Sequence, residues 1–254
     1  MVHATEDVQT KEYCVPESSR ADQPDDWRRP DLLNKISLFR GESSENLSAL
    51  GALLHQQCFV GGSVIMSTEQ VGEVVYVVIE GTVKIHRAQA DGSDVVIAIL
   101  GPGDIVGEMS LIDDMRRCAT VVTLEGCTML WMDRSSFRRC LRTMPVLSYN
   151  LACILAARLR LADGHIESLA RRDVESRVAR QLVAFASRYG RATPDGGVLI
   201  PIRLTQTDIA SMVGASRESV NKIMVSYKER KFISVDLDQR ITVHNKQALA
   251  KQSR

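Results

Sequence analysis

The sequence predicts an α+β protein: an N-terminal β-roll, a long helix, and a C-terminal winged helix-turn-helix. Three observations predict it. Between Cys58 and Phe137, short β-rich runs alternate with glycine turns, the pattern of an all-β barrel or roll. From Pro145 to Leu169, apolar residues recur at heptad spacing. From Leu204 onward, two short helical patterns flank Gly214, and a hairpin pattern follows them. The expected divisions are residues 1–30 as an arm, 31–144 as the roll domain, 145–172 as helix and hinge, and 173–254 as the winged domain.

The first 30 residues are polar and charged, and PESSRADQPDDWRRPD reads as an arm without fixed structure. Ser44–Leu54 places Leu47, Leu50 and Leu54 on one helical face. The strand runs are SVIM, VVYVVIE, TVKIHRA, DVVIAIL, ATVVTL and CTMLWMD, with Asp91-Gly92 as a hairpin signal. The β pattern ends near Arg134. Pro145 suits a first helical turn, where its missing N–H costs nothing.

Along that helix Ala152, Leu155, Leu159, Ala162, Ile166 and Leu169 form a heptad seam. A seam this regular predicts a homodimer through a coiled coil; the alternative is a stripe packing on its own domain. Leu169–Asp173 is the expected hinge. Beyond it Val178, Leu182, Val183, Phe185 and Ala186 form a helix face, GVLIPIRL a strand, and FISVD with RITVHN the terminal hairpin.

Composition bounds the function. The chain has 254 residues, ordinary apolar and charged fractions, and a net charge of +1. That charge is unevenly spread: residues 173–254 hold 14 Lys/Arg against 8 Asp/Glu, whereas residues 1–172 are acidic on balance. A basic half joined to an acidic half points to a polyanionic partner. No apolar run reaches the ~20 residues of a membrane span, and MVHATEDVQT lacks the pattern of a secretion signal, so no membrane partner and a cytoplasmic location are expected. Cysteines 14, 58, 118, 127, 140 and 153 form no Cys-x-x-Cys pair. Reduced thiols, most of them buried or partly buried, and no metal site follow. No nucleophile elbow, metal cluster or Walker loop is present, so an enzyme is not expected.

The most specific segment is LTQTDIASMVGASRESVNKIM, starting at Leu204. Thr205 and Asp208 are spaced as a helix-start box. Gly214 stands where the chain must turn sharply, and Ser216 can cap the second helix. Val220, Ile223 and Met224 bury that helix and leave Arg217, Glu218, Asn221 and Lys222 outward. Arginine can make two bonds to guanine and glutamate can accept from cytosine, while Lys222 reaches a base or phosphate. Thr205, Ser216 and Ser219 are expected to bond phosphates and set the register.

These residues resemble the CRP/FNR family of bacterial transcription regulators, whose G-x-S-R-E-x-V pattern reads here Gly214-Ala-Ser-Arg217-Glu218-Ser-Val220. SRESVNK is particularly similar to actinobacterial cAMP-receptor-type members, and the resemblance spans about residues 32–245. It implies double-stranded DNA with a palindromic TGTGA-like site as target, RNA polymerase as a partner, and a cyclic-nucleotide-binding-like double-stranded roll. Where the family often has an Arg, this chain has Lys222.

The resemblance further makes Gly101–Thr120 a phosphate-binding cassette. Glu108 would accept from a ribose hydroxyl and Arg117 would pair with a cyclic phosphate. Backbone N–H groups around Gly107, Met109, Ser110 and Cys118 would add donors. Three departures stand out. Cys118 replaces the usual Ser or Thr. Met115-Arg116 replaces a turn-forming Gly or Pro pair. Ala162-Asp163 replaces the Thr-Ser or Thr-Asn of strong cAMP responders. Each lost hydrogen bond costs roughly 0.5–1.5 kcal/mol, so cAMP is expected to bind weakly or with little effect on DNA affinity. Two alternatives stand beside this reading: a cyclic-nucleotide-binding regulatory subunit acting through protein partners, and a thiol-redox regulator using Cys118 beside Arg116 and Arg117.

Overall fold

The structure, a computed structural model, describes the backbone of residues 26–89, 94–171 and 173–252, and their side chains except at 26 and 169–171. The chain enters through a 3-10 turn, Asp26–Arg28, and α1 (Pro30–Leu33). The sequence places residues 26–30 in the arm; in the structure they form this turn and the start of α1, because Trp27 anchors them on the core. After α2 (Ser44–Leu53) come β1 (His55–Phe59), β2 (Val64–Met66), β3 (Val74–Glu80), β4 (Val83–Ala88), β5 (Asp94–Leu100) and β6 (Ile105–Val106). The Asp91-Gly92 hairpin lies outside the described residues. The four-residue α3 (Met109–Ile112), β7 (Thr120–Thr123) and β8 (Cys127–Asp133) complete the roll.

Two four-stranded sheets form the roll, in the orders β1-β8-β3-β6 and β2-β7-β4-β5. Alternate residues of β3 serve two cores. Tyr76 and Val78 point into the roll with Met66, Val83, Val106 and Met129. Val75 and Val77 point outward, onto Leu33, Phe39, Leu50, Phe137 and Leu147. A strand buried on both faces reads as a continuous apolar run, which is why VVYVVIE shows no alternation.

α4 (Arg134–Thr143) follows β8 without a break, and α5 (Pro145–Arg171) follows α4. Sequence reading left 134–144 without an element, because its apolar face is only Phe137, Cys140 and half-buried Leu141 among four arginines. Asp133 caps α4 through Ser136 N–H. The first third of α5 belongs to the roll domain, with Leu147 and Leu151 buried. Its later part is different: Leu159 is 64% and Ile166 68% exposed. No single helix among the described residues is long and apolar enough to cross a membrane.

The C-terminal half holds α6 (Val174–Arg188), β9 (Arg191–Ala192), β10 (Val198–Ile200), α7 (Gln206–Val213), α8 (Arg217–Glu229), β11 (Ile233–Val235), β12 (Ile241–Val243) and α9 (Lys246–Gln252). Its sheet runs β11-β12-β10-β9, so the hairpin is the wing. The fold is thus the β-roll, long helix and winged helix-turn-helix that the sequence predicts. Three of the five described cysteines, Cys58, Cys118 and Cys153, are exposed; Cys127 and Cys140 are buried. This corrects the expectation that most thiols are buried or partly buried. At Cys58 the side chain lies on the solvent side of an edge strand, β1.

Candidate functional site

The helix predicted to read DNA is built by local chemistry. Thr205 Oγ1 accepts from Asp208 N–H at 3.1 Å, and Asp208 accepts from Thr205 N–H, closing a capping box. The Thr205 hydroxyl also donates to Asp208, so this residue enters the site first as a helix cap. Gly214 adopts φ 61° and ends α7; at this left-handed position a Cβ would be strained. Ser216 then caps α8 by accepting from Ser219 N–H at 3.2 Å.

Burial of Val220, Met224 and Tyr227 fixes which way α8 faces. Arg217, Glu218, Asn221 and Lys222 are exposed on its other side. Gln206 donates to Asn221 Oδ1 at 3.0 Å and ties the two helices together on that surface. Arg217, Glu218 and Lys222 have no ion-pair or side-chain hydrogen-bond partner among the described residues. The structure therefore gathers all seven predicted reading residues at one helix pair.

The cassette lies in the roll. Gly107 has φ 84°, and a Cβ there would lie 2.7 Å from Arg117 Nη1. That space is what lets Arg117 fold inward. Arg117 is 5% exposed and donates to Gly107 O at 2.5 Å, Ser110 Oγ at 2.8 Å and Val74 O at 2.6 Å. Burial works against its charge and lowers its pKa; Tyr76 and Glu108 nearby partly offset this. Tyr76, in turn, is pushed up by burial, with Arg117 pulling the other way.

Glu108 is 2% exposed and pairs with Arg158 of α5 at 2.8 Å, while Arg158 Nη2 donates to Ile105 O. Neither Arg158 nor Tyr76 was singled out from sequence. Arg158 stands four residues before Ala162, hence on the same side of α5, but nothing in its neighbours marks it as a partner for a strand-end glutamate fifty residues away. Met109 and Cys118 are exposed at the cassette surface, as are Ala162 and Asp163 on α5. The missing Gly or Pro turn is replaced by Asp114 at φ 63°, held by ion pairs to Arg134 and, at 2.7 Å, Arg138. Asp tolerates this conformation better than most residues.

Of the seam residues, Ala152, Leu159, Ala162 and Ile166 are exposed, and Leu155 is half-buried against the roll domain's outer core. The side chain of Leu169 is outside the described residues. Among the described residues no group of three or more His, Cys, Asp or Glu could hold a metal ion.

Residues 56–144 match the family model of the cyclic nucleotide-binding domain, and residues 176–252 that of the Crp-like helix-turn-helix domain. The chain is 33% identical over 225 residues to a CRP-like cAMP-activated global transcriptional regulator of Mycobacterium tuberculosis, covering 88% of this chain and 99% of that one. It is 31% identical to the cyclic AMP receptor protein of Thermus thermophilus over 76% of this chain and 85% of that relative. Among solved structures, FixK2 from Bradyrhizobium japonicum superposes with a TM-score of 0.69 at 20% identity, covering 79% of this chain and 98% of FixK2. A CooA variant from Carboxydothermus hydrogenoformans gives 0.67 at 22% identity, covering 86% and 95%.

Proposed function

The chain belongs to the CRP/FNR family of transcription regulators, and from that premise we propose that it acts as a homodimer on a palindromic TGTGA-like DNA site with a cassette that takes cAMP weakly. The observation that carries the DNA reading is the exposed face of α8, where Arg217, Glu218 and Lys222 have no side-chain partner among the described residues, on a helix pair capped at both starts and turned by Gly214. Arg217 reads guanine and Glu218 reads cytosine; Lys222 adds a base or phosphate contact. Ser216 and Ser219 set the register on phosphates. The exposed stripe of Ala152, Leu159, Ala162 and Ile166 supports pairing through α5, which would set two reading helices ~34 Å apart. RNA polymerase is the partner that fits a regulator of this type.

The state of the cassette supports the weak-cAMP reading. Glu108 would receive the ribose hydroxyl and Arg117 the cyclic phosphate, with N–H groups of Gly107, Met109, Ser110 and Cys118 around them. Both side chains already have protein partners, Glu108 in Arg158 and Arg117 in two carbonyls and Ser110. A ligand must exchange these bonds rather than fill vacant ones, and only the surplus appears as affinity. Ala162 adds no hydrogen bond toward a base. Cys118, exposed beside Arg117, is the residue a thiol-responsive reading would use.

The test is fluorescence anisotropy of a labelled TGTGA-N6-TCACA duplex at fixed salt, with and without cAMP. Specific binding with less than tenfold tightening by cAMP is expected. Tightening of tenfold or more, about 1.4 kcal/mol of coupling, would overturn the weak-coupling reading. No preference over scrambled DNA would overturn the DNA reading and favour a subunit acting through protein partners.

A further inference from the structure

α4 carries four arginines and no Asp or Glu. Arg134, Arg138 and Arg142 are spaced i, i+4, i+8, so they form one row along the helix, and Arg139 lies beside it. With Ser135 and Thr143 they line an open cleft of about 580 Å³ whose walls include no carboxylate. Like charges one turn apart destabilise a helix, so this row calls for counter-charge. The roll supplies one carboxylate, Asp114, which pairs with Arg134 and Arg138. Arg139 and Arg142 are exposed and have no ion-pair or side-chain hydrogen-bond partner among the described residues.

DNA is poorly placed to supply the rest. The winged half meets the roll through Val96 and Ile99 of β5, which pack with Ile202, and through the pair of Glu125 and Arg240 at 3.2 Å. β8 starts beside that contact, at Cys127, and ends at Asp133, where α4 begins. A strand of this length spans about 20 Å, so α4 lies at the opposite end of the roll from the winged half.

An acidic segment joins the roll at the α4 end. Residues 1–25 hold six Asp/Glu against two Lys/Arg, a balance of −4. They lead directly into the Asp26–Arg28 turn, and Trp27 of that turn packs on the outer core that Phe137 and Cys140 of α4 help to form. Extended over about 20 residues, the chain reaches up to ~70 Å, so Glu6, Asp7, Glu12 and Glu17 can all meet the row from that anchor. Tethering holds them near α4 at millimolar effective concentration.

We propose that residues 1–25 dock on the arginine row of α4 in their own chain, with Glu6, Asp7, Glu12 and Glu17 as counter-ions for Arg139 and Arg142 and for the two arginines that share Asp114. The contact neutralises a strongly basic surface and ties the arm to the roll. It stands whether or not α8 reads DNA.

Limited tryptic digestion of the full-length chain tests it. Cleavage after Lys11 and Arg20 is followed by mass spectrometry, and each rate is divided by that of the matching free peptide of residues 1–25 in the same digest. Cleavage follows the undocked fraction, so an arm docked about 80% of the time is cut about fivefold more slowly than the peptide. Arg139→Glu with Arg142→Glu should bring the rate close to the peptide's, as should about 1 M salt, where the screening length is near 3 Å. Glu6→Gln, Asp7→Asn, Glu12→Gln and Glu17→Gln together should do the same. Joining the two sets should add nothing further, because both remove one contact. Arg139→Gln with Arg142→Gln places no acid at the C-terminal end of the helix; it should move the rate the same way and guards against a folding defect in the charge-reversed variant. Cleavage of the wild-type arm at the peptide's rate overturns the proposal. Protection that survives the arginine substitutions also overturns it, since the arm would then sit elsewhere; loss of that protection on adding duplex DNA would put the seat on the winged half.

Discussion

The proposed cassette and the proposed reading helix use the same pair of side chains in opposite states. Arg117 and Glu108 are 5% and 2% exposed, and every strong contact they make is to protein. Arg217 and Glu218 are exposed on α8, with no such partner among the described residues. The difference is physical necessity. A buried charge without partners costs several kcal/mol, so a pocket inside a roll must satisfy its charges before any ligand arrives. A charge in water carries no such penalty and can wait for DNA. An internal site of this kind is therefore conservative: ligand binding there is an exchange, and its net effect is small unless the ligand offers better partners than the protein does. A surface site gains the whole of each new contact, less only its ordering cost.

The exposed face of α5 belongs with the second class, and breaking it should give the largest effect. Leu159→Asp or Ile166→Asp places a carboxylate on the predicted seam. Analytical ultracentrifugation should show monomer, and affinity for the full palindrome should fall by about 100-fold or more as the second half-site contact ceases to be intramolecular. A dimer that survives both substitutions would move the interface elsewhere.

Next in size is the reading helix itself. Arg217→Ala should lose at least about tenfold in affinity for the specific duplex, from the 1–3 kcal/mol of a bidentate base contact. Binding to scrambled DNA should change much less. The melting temperature should stay within a degree, because Arg217 holds nothing in the fold. Arg117→Ala should show the reverse. It removes three hydrogen bonds, one buried and two half-buried, about 1–3 kcal/mol of stability, so the melting temperature should drop by roughly 2–10 °C, while ligand-free DNA affinity stays within twofold. If the two variants melted alike, the contrast between the sites would fail.

The same contrast governs what could be read from sequence. α7 and α8 stand on either side of Gly214, as the sequence predicts, because their starts and stops are written locally: Thr205 with Asp208, Gly214, Ser216. The cassette residues were identifiable through the resemblance, yet their partners were not. Arg158 reaches Glu108 across fifty residues and Val74 O meets Arg117 across forty-three, and such pairings are set by the closure of the roll, not by spacing along the chain. α4 escaped for a related reason: its arginines mask an apolar face that only Phe137, Cys140 and Leu141 declare. The docking of β5 on the winged domain left no mark at all, since Val96 and Ile99 read as ordinary strand residues until Ile202 is seen beside them.

A smaller change probes whether the cassette can be improved. Cys118→Ser supplies a hydroxyl at the position where the family usually places one. Since a hydrogen bond is worth roughly 0.5–1.5 kcal/mol, cAMP affinity by calorimetry should rise about two- to tenfold. DNA affinity without cAMP should not move. No gain would mean that Arg117 does not release its carbonyl partners to meet the phosphate, and that the exchange, not the missing hydroxyl, limits binding.

The smallest effect lies at the joint between the two halves, where Asp173 caps α6 by accepting from Ser176 N–H at 2.7 Å. That bond, with a further one to the Ser176 hydroxyl, holds its carboxyl below the usual range. A carboxyl whose folded pKa is depressed stabilises the fold above its unfolded pKa, near 3.9, and the contribution is lost as pH falls through the lower folded value. Asp173→Ala should thus cost about 1 kcal/mol at pH 7 and progressively less in acid. Asp173→Asn keeps an acceptor in place, so its stability at neutral pH should match wild type, but its acid limb should lack the Asp173 titration. Equal pH profiles for wild type and Asp173→Asn would mean that the cap works as a neutral hydrogen bond, and that the charge at this helix start contributes nothing of its own.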